Sequence, residues 1–240
     1  MQAKFTIVTG GSNGIGAGIS RHLLASGSAV INIDKVPPAK TPDGEYVFFK
    51  ADLSQPTETR QIAAEVLRKY PIENLVNNAG VSLPGDLEEV TEDDFTRTMN
   101  LHLQAAIIFA QGVIPGMKQR RRGRIVNMSS RAALGKRART VYGGSKAALI
   151  GMTRTWAMEL GPFGITVNAV APGPIVTDLF MSANSEATVK RLVESTAVGR
   201  GGTPDDVARA ILFFLSPQSD FITGQVLHVC GGASLGASPW

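Results

Sequence analysis

Phe5-Thr6-Ile7-Val8-Thr9-Gly10-Gly11-Ser12-Asn13-Gly14-Ile15-Gly16 is the stretch on which the reading of this chain turns. Its first five residues are apolar or β-branched and predict a buried strand. The glycines that follow allow a tight turn, close backbone approach to a pyrophosphate, and close packing of strand on helix. A helical pattern over Ile15–Ala25 starts at once, so its free N–H groups and positive end face whatever the turn holds. A glycine-rich turn by itself is an ordinary strand-to-helix connection. Its position, opening the first β-α-β unit, marks it as a dinucleotide site.

Outward from this turn, short apolar runs alternate with helix-period stretches. Further strands are predicted at Ala29–Asp34, Val47–Lys50, Asn74–Asn77, Arg124–Asn127, Ile165–Val170 and Val226–Val229. Helices are predicted at Glu58–Lys69, Asp94–Gln119, Tyr142–Leu160, Val189–Thr196 and Pro204–Leu215. Val/Ile-rich strands alternating with helices indicate a parallel sheet buried on both faces. The expected architecture is α/β: one doubly wound, Rossmann-type domain over residues 1–240, with a seven-stranded, mainly parallel sheet flanked by helices. Lys35–Glu45 carries Pro37, Pro38, Pro42 and Gly44 and is too proline-rich for a crossover helix.

The 240 residues are 43% hydrophobic and 18% charged, which excludes disordered, collagen-like and low-complexity classes. A single cysteine, Cys230, rules out an internal disulfide framework, and His22, His102 and His228 lie far apart, so no metal is expected. No apolar run reaches the roughly 18–20 residues that span a bilayer. Met1 leads directly into the first strand with no room for a signal peptide, and a cytoplasmic location is expected.

Asp34 ends the second strand, 18 residues after Gly16. A carboxylate there can accept the ribose hydroxyls of an adenosine and repel a 2′-phosphate. Asn13, where a basic residue could have met that phosphate, points the same way, while Lys35 beside Asp34 could counter it. NAD is therefore expected in preference to NADP. Tyr142 and Lys146 stand four apart on one helical face. A nearby ammonium favours the phenolate, and a tyrosine tuned in this way can exchange a proton with an alcohol or ketone.

These motifs come in one order along one alternating sheet: Thr9–Gly16, Asn77-Asn78-Ala79-Gly80, Asn100, Ser129-Ser130, Tyr142-Gly143-Gly144-Ser145-Lys146, and Pro172-Gly173. Together with the tail from Gly201-Gly202-Thr203-Pro204 to Gly231-Gly232, they strongly resemble the single-domain branch of the short-chain dehydrogenase/reductase family over essentially the whole chain. The resemblance implies that Tyr142 is the acid/base, that Lys146 lowers its pKa and holds the nicotinamide ribose, and that a serine hydroxyl binds the substrate oxygen. Asn100 would anchor a water that relays protons from Lys146. Gly10, Ser12, Asn13, Gly14, Ile15 and Gly16 would hold the cofactor phosphates. Asp52, with Leu53, would meet the adenine. Asn78, Ala79 and Gly80 would border the adenosine side, and Pro172, Gly173, Ile175 and Thr177 the nicotinamide. The family serine aligns with Ser130, twelve before Tyr142, one fewer than usual; Ser129 would face the opposite side. The resemblance further implies a homotetramer or homodimer built on the Tyr142–Leu160 helix and the last strand. Residues 178–200, with Phe180, Met181 and Ser182, would cap the pocket.

The formal charge of +4 is local. Lys118–Arg139 holds nine basic residues and no acidic one; taking nine from the 24 basic residues leaves 15 against 20 acidic, a net of −5. Lys118–Arg124 reads as a solvated helix end. Arg131, Lys136, Arg137 and Arg139 lie between the serine and the tyrosine, and their reading is an anionic substrate or a coenzyme A tail, with Arg131 and Arg137 as contacts. A narrower likeness, in the Lys35–Glu45 connection and the ending Gly231–Ala237, is to dehydrogenases of cyclohexadiene-diol carboxylates. The leading expectation is NAD-dependent interconversion of a secondary alcohol and a ketone. The rivals are an NADPH-dependent 3-oxoacyl-thioester reductase and, from another class, a non-catalytic dinucleotide sensor or a nucleic-acid binder. The complete Ser/Tyr/Lys/Asn set counts against the sensor. The absence of interleaved aromatics in the basic run counts against nucleic acid, and neither nucleic acid nor membrane is an expected partner.

Overall fold

The computed structural model describes residues 4–177, 180–181 and 185–235. Seven strands, β1 (Phe5–Thr9), β2 (Ala29–Asp34), β3 (Tyr46–Lys50), β4 (Ile72–Asn77), β5 (Gly123–Met128), β6 (Ile165–Pro172) and β7 (Val226–Val229), form one sheet in the order β3-β2-β1-β4-β5-β6-β7. Every neighbouring pair is parallel. The expected doubly wound sheet is the observed one. Its helices are α1 (Gly14–Ala25), α2 (Pro56–Lys69), α3 (Glu92–Met99), α4 (Ala105–Arg120), α5 (Thr140–Leu160), α6 (Glu186–Glu194) and α7 (Pro204–Leu215). No helix among the described residues is long and apolar enough to cross a membrane.

Strand alternation divides the core in two. Ile7, Ile31, Leu75, Ile125 and Val167 pack with Ile62 and Val66 of α2, Phe109 and Met117 of α4, and Leu160 of α5. Val8, Val30, Val76, Val126 and Val170 face the other way, against Ile19 and Leu23 of α1 and Val207, Ile211 and Phe214 of α7. A strand buried on both faces has no polar positions to spare, which is why these strands read as continuous apolar runs.

Two departures from the sequence expectation have physical causes. The helix expected over Asp94–Gln119 is interrupted at Asn100–Gln104 by a π-turn, in which the Ala105 N–H donates to the Asn100 carbonyl five residues back. Apolar periodicity does not register one extra residue in a long helix. The helix expected from Val189 begins at Glu186, because Ser185 caps it by accepting a hydrogen bond from the Thr188 N–H. As expected, Lys35–Glu45 holds no helix, and β3 pairs directly with β2 from Val30↔Tyr46 to Asp34↔Lys50.

The chain leaves β1 towards β2 and β3 on one side, and then returns to β4 on the other. The carboxyl ends of β1 and β4 therefore diverge, and the crevice between them is where ligands bind in such sheets. Two glycines keep that crevice open. A Cβ on Gly16 would lie 1.9 Å from the Gly10 carbonyl oxygen, and one on Gly10, whose φ is +67°, would lie 2.9 Å from the Ala79 Cα. Gly16→Ala is expected to cost about 3 kcal/mol through overpacking against backbone that cannot move aside, measurable as a lowered midpoint of urea unfolding.

Candidate active site

A cavity of about 530 Å³ runs along the carboxyl ends of the strands. At one end stand Asp34, Lys35, Asp52 and Leu53; Gly10, Asn13, Gly14, Ile15 and Gly16 form the middle wall with Asn78, Ala79 and Gly80. At the other end are Ser130, Arg131, Tyr142 and Lys146, roofed by Pro172, Gly173, Ile175 and Thr177. Asn13 precedes α1 without a side-chain cap, so the helix opens on the cavity with its first N–H groups uncapped by a side chain. An uncapped helix start behind a glycine cradle fits the pyrophosphate of a dinucleotide.

The glycine turn and the β4 end are held together by one threonine and one asparagine. Thr9 Oγ1 accepts from the backbone N–H groups of Asn78 and Ala79, both at 3.0 Å, and Asn78 Nδ2 donates to the carbonyls of Thr9 (2.9 Å) and Gly10 (3.0 Å). Ser12, expected at the phosphates, lies beneath the turn instead. Its N–H donates to Asp34 Oδ2, its hydroxyl donates to the Val36 carbonyl, and it accepts from Asn32 Nδ2. Being small and hydroxylic, it serves the turn's own hydrogen bonds, and it does not line the cavity. Asp34 also accepts from the Val36 N–H at 3.3 Å, which fixes its carboxylate at the cavity edge. Lys35 Nζ stands 3.9 Å from Asp52 Oδ2. Burial raises the Asp52 carboxyl pKa, but hydrogen bonds from Ser54 and the charges of Lys35 and Arg97 outweigh this and hold it below the usual range.

At the chemical end, adjacent serines point in different directions. Ser129 Oγ donates to the Lys146 carbonyl at 2.8 Å and is buried beneath α5. Ser130 Oγ accepts from the Ala132 N–H at 3.1 Å and lines the cavity with Tyr142, whose pKa it lowers. Lys146 is enclosed, its ammonium donates to the Met128 carbonyl at 2.8 Å, and burial pushes its pKa down to about 7. The sequence argument had Lys146 lowering the pKa of Tyr142. In this structure burial raises the phenol, and the influences that partly oppose the rise are the Ser130 hydrogen bond and the charge of Arg139. The Lys146 ammonium nitrogen stands 5.7 Å from the tyrosine ring centre.

The chain matches the family described as enoyl-(acyl carrier protein) reductase over residues 10–234. It is 37% identical to the (2S)-[(R)-hydroxy(phenyl)methyl]succinyl-CoA dehydrogenase subunit BbsD of Thauera aromatica, covering 98% of both chains. Identity with the 3-oxoacyl-[acyl-carrier-protein] reductase FabG of Thermotoga maritima is 35%, over 97% of this chain and 98% of that one. A solved structure of a blue fluorescent protein from a metagenomic library, in complex with NADPH, superposes with a TM-score of 0.84 at 34% identity, over 97% and 98% of the two chains. The chain belongs to the short-chain dehydrogenase/reductase family. It is an oxidoreductase fold built for a nicotinamide dinucleotide.

Within this short-chain dehydrogenase/reductase, two more expected residues besides Ser12 stand away from the cavity wall. Arg137 is exposed and does not line it; Arg139 and Lys136 do, beside Arg131. The turn Gly135–Ala138 carries φ values of +105° at Gly135 and +54° at Ala138 and sends Arg137 outward, a reversal that spacing could not show. Asn100 begins the π-turn, where its carbonyl takes the Ala105 N–H and its neighbour Leu101 faces the cavity. Ser182 of the expected cap lies outside the described residues, as do residues 178–179, 183 and 184; Leu192 and Ser195, farther along that segment, do line the cavity.

Sequence reading missed His102. Nε2 of His102 accepts from the Val81 N–H at 2.9 Å, so the ring carries its proton on Nδ1 and donates it to Ser145 Oγ at 2.8 Å. Ser145 in turn donates to the Tyr142 carbonyl at 2.8 Å, and the imidazole stands edge-on to the Tyr142 ring, 5.8 Å between centres. The π-turn aims this side chain at α5, and only a five-residue hydrogen bond in the helix could have revealed it. The basic run before β5 is accounted for by structure: Lys118 lies over the Phe163 ring, Arg122 pairs with Glu73 at 3.1 Å, and Arg124 donates to the carbonyls of Ser216 and Pro217.

Burial, and then the Lys146 charge, depress the His102 pKa from 6.5 to about 2. The unfolded chain therefore binds a proton below about pH 6.5 that the folded chain refuses, so this contribution is complete above that pH and is lost as the solution acidifies. About 2 kcal/mol is expected to disappear between pH 7 and pH 5. Thermal unfolding of the wild type against His102→Gln over that interval measures it; the variant should show the shallower slope.

Proposed function

We propose that this chain is an NAD-dependent oxidoreductase that interconverts a secondary alcohol and a ketone, on an anionic substrate. The observation that carries this reading is that Ser130, Tyr142 and enclosed Lys146 line one end of the cavity, opposite Asp34. Bound there, the dinucleotide supplies the hydride exchange itself. Tyr142 moves the hydroxyl proton, Ser130 orients the substrate oxygen with its hydroxyl, and Lys146, whose pKa near 7 lets it gain or lose a proton readily, restores the proton on Tyr142. Asn100 supports Lys146 from the π-turn. Glycines 10, 14 and 16 with Asn13 and Ile15 hold the phosphates, Asp52 and Leu53 the adenine side, Asn78–Gly80 the adenosine, and Pro172, Gly173, Ile175 and Thr177 the nicotinamide. The segment 178–200 closes over the substrate, which the positions of Leu192 and Ser195 support.

NAD is favoured by the fixed carboxylate of Asp34 at the cavity edge and by the engagement of Lys35 with Asp52, away from any 2′-phosphate. The second reading, an NADPH-dependent 3-oxoacyl-thioester reductase, is favoured by the names of the Thermotoga maritima relative and of the NADPH-bound structure. A homotetramer or homodimer, formed through α5 and β7, belongs to the same proposal; Met158 of α5 and Leu227 of β7 are exposed apolar residues there.

Initial rates with NAD and NADP decide the cofactor. NAD is expected to give the higher kcat/KM by at least about tenfold, and Asp34→Ser to shift the ratio towards NADP by about 1.4 kcal/mol or more. Tyr142→Phe should lower kcat by about 10²–10⁴. Because burial holds the phenol protonated at neutral pH, alcohol oxidation should accelerate and ketone reduction slow as pH rises above 7. A flat pH profile would sink the role given to Tyr142.

A further inference from the structure

Arg139 is 8% exposed, and its guanidinium has no carboxylate within 4.0 Å among the described residues. Its Nε donates to Ser82 Oγ at 3.1 Å and Nη1 to the Ala138 carbonyl at 2.7 Å, while Nη2 has no partner among the described residues. The two bonds hold the fork in place, and Arg139 lines the cavity three residues before Tyr142. Arg131 and Lys136 line the same end, Arg131 steadied by a 3.4 Å bond to the Ala233 carbonyl. Neither is in a salt bridge among the described residues. Lys136 is exposed at the rim of this wall; partial desolvation and then the charges of Arg139 and Arg131 lower its pKa. A buried cation without a counter-ion is costly; Arg139 is such a cation, and the half-buried Arg131 and exposed Lys136 add positive charge on the same wall, an arrangement that a bound anion would complete.

We propose that Arg139, backed by Arg131 and Lys136, is the binding site for a carboxylate carried by the substrate itself, close to the carbon that reacts at Tyr142. A planar fork with a free edge matches a carboxylate in geometry, where a lysine would supply only a point charge. The closeness of Arg139 to Tyr142 favours a small acid over an acyl thioester. The phosphates of coenzyme A or of a carrier-protein arm sit at the far end of a long pantetheine chain from the reacting carbonyl, whereas Arg139 lines the cavity close enough to Tyr142 for their charges to act on each other. The inference rests on the oxidoreductase reading for the word substrate, but the site can be tested without turnover.

Benzoate and benzamide have nearly the same shape and differ in charge. Calorimetric titration of each into the wild type saturated with NAD, and into Arg139→Gln, tests the site. Benzoate is expected to bind the wild type more tightly than benzamide and to lose affinity by about tenfold to a hundredfold in the variant, with benzamide unchanged. Equal binding of the two probes, no benzoate binding at about 10 mM, or an unaltered benzoate affinity in the variant would each overturn the proposal. Should Arg139→Gln fail to fold, Lys136→Gln, which disturbs no hydrogen bond among the described residues, tests the same field. A loss of about threefold or more supports it and no loss overturns it. Turnover separates this inference from the one beneath it. If benzoate binds through Arg139 but no secondary alcohol is oxidised with either cofactor, the anion site stands and the oxidoreductase reading falls. If 3-hydroxycyclohexanecarboxylate is no better a substrate than its methyl ester, the oxidoreductase reading stands and the carboxylate site falls.

Discussion

The first turn of α1 lies so close to the turn that precedes it that no side-chain carbon fits between Gly16 and the Gly10 carbonyl. Everything else about the site follows from this contact. With the helix drawn in, its start opens on the crevice between β1 and β4, and Asn78 can reach the Thr9 and Gly10 carbonyls. Those bonds place the end of β4, and β4 is the template on which β5 pairs from Asn74↔Arg124 to Asn77↔Asn127. The serine, the tyrosine and the lysine follow from β5. A buried polar ladder carries the placement onward: Asn77 donates to Asn127, and Asn127 to Thr153 of α5. Buried amides left without partners would be costly, so this ladder admits one register of strand and helix.

The chemical end depends on a reciprocal clasp. Lys146 donates from its ammonium to the Met128 carbonyl, while its own carbonyl accepts from Ser129. Strand end and helix are thus tied twice at one residue, which leaves Ser130 the only one of the two serines free to face Tyr142. On the other side, His102 and Ser145 hold the Tyr142 backbone through two hydrogen bonds. The tyrosine is fixed from below and from the side before any ligand arrives, which is the preorganisation that efficient proton exchange requires.

Much of this was legible in the residues. The strands and their alternation with helices, the irregular passage after Asp34 and the grouping of most cofactor-side positions follow from apolar runs, prolines and glycines, whose effects are local. What escaped reading depends on the path of the backbone between elements. Arg137 and Arg139 are equivalent in charge and almost adjacent, yet the left-handed residue Ala138 sends one outward and the other inward. Ser12 has the hydroxyl expected of a phosphate ligand, but the close approach of Asn32 draws it under the turn. His102 gave no signal because a π-turn leaves the apolar pattern on either side intact. Spacing likewise gives the proximity of Lys146 and Tyr142 but says nothing of how deeply both groups are buried.

The π-turn at Asn100–Gln104 is one residue longer than a regular helix would need. An α-helix turns through about 100° per residue, so this one residue sets the angular offset between α3 and α4. Remove any single residue from it and the two helices would join smoothly, and α3 would rotate by that angle about the common axis with its share of the cavity wall. The histidine beneath the tyrosine is thus the product of an insertion as much as of a side chain. Relatives that lack the extra residue would need a different support for the same tyrosine, and a helix of regular length would be the mark by which to find them.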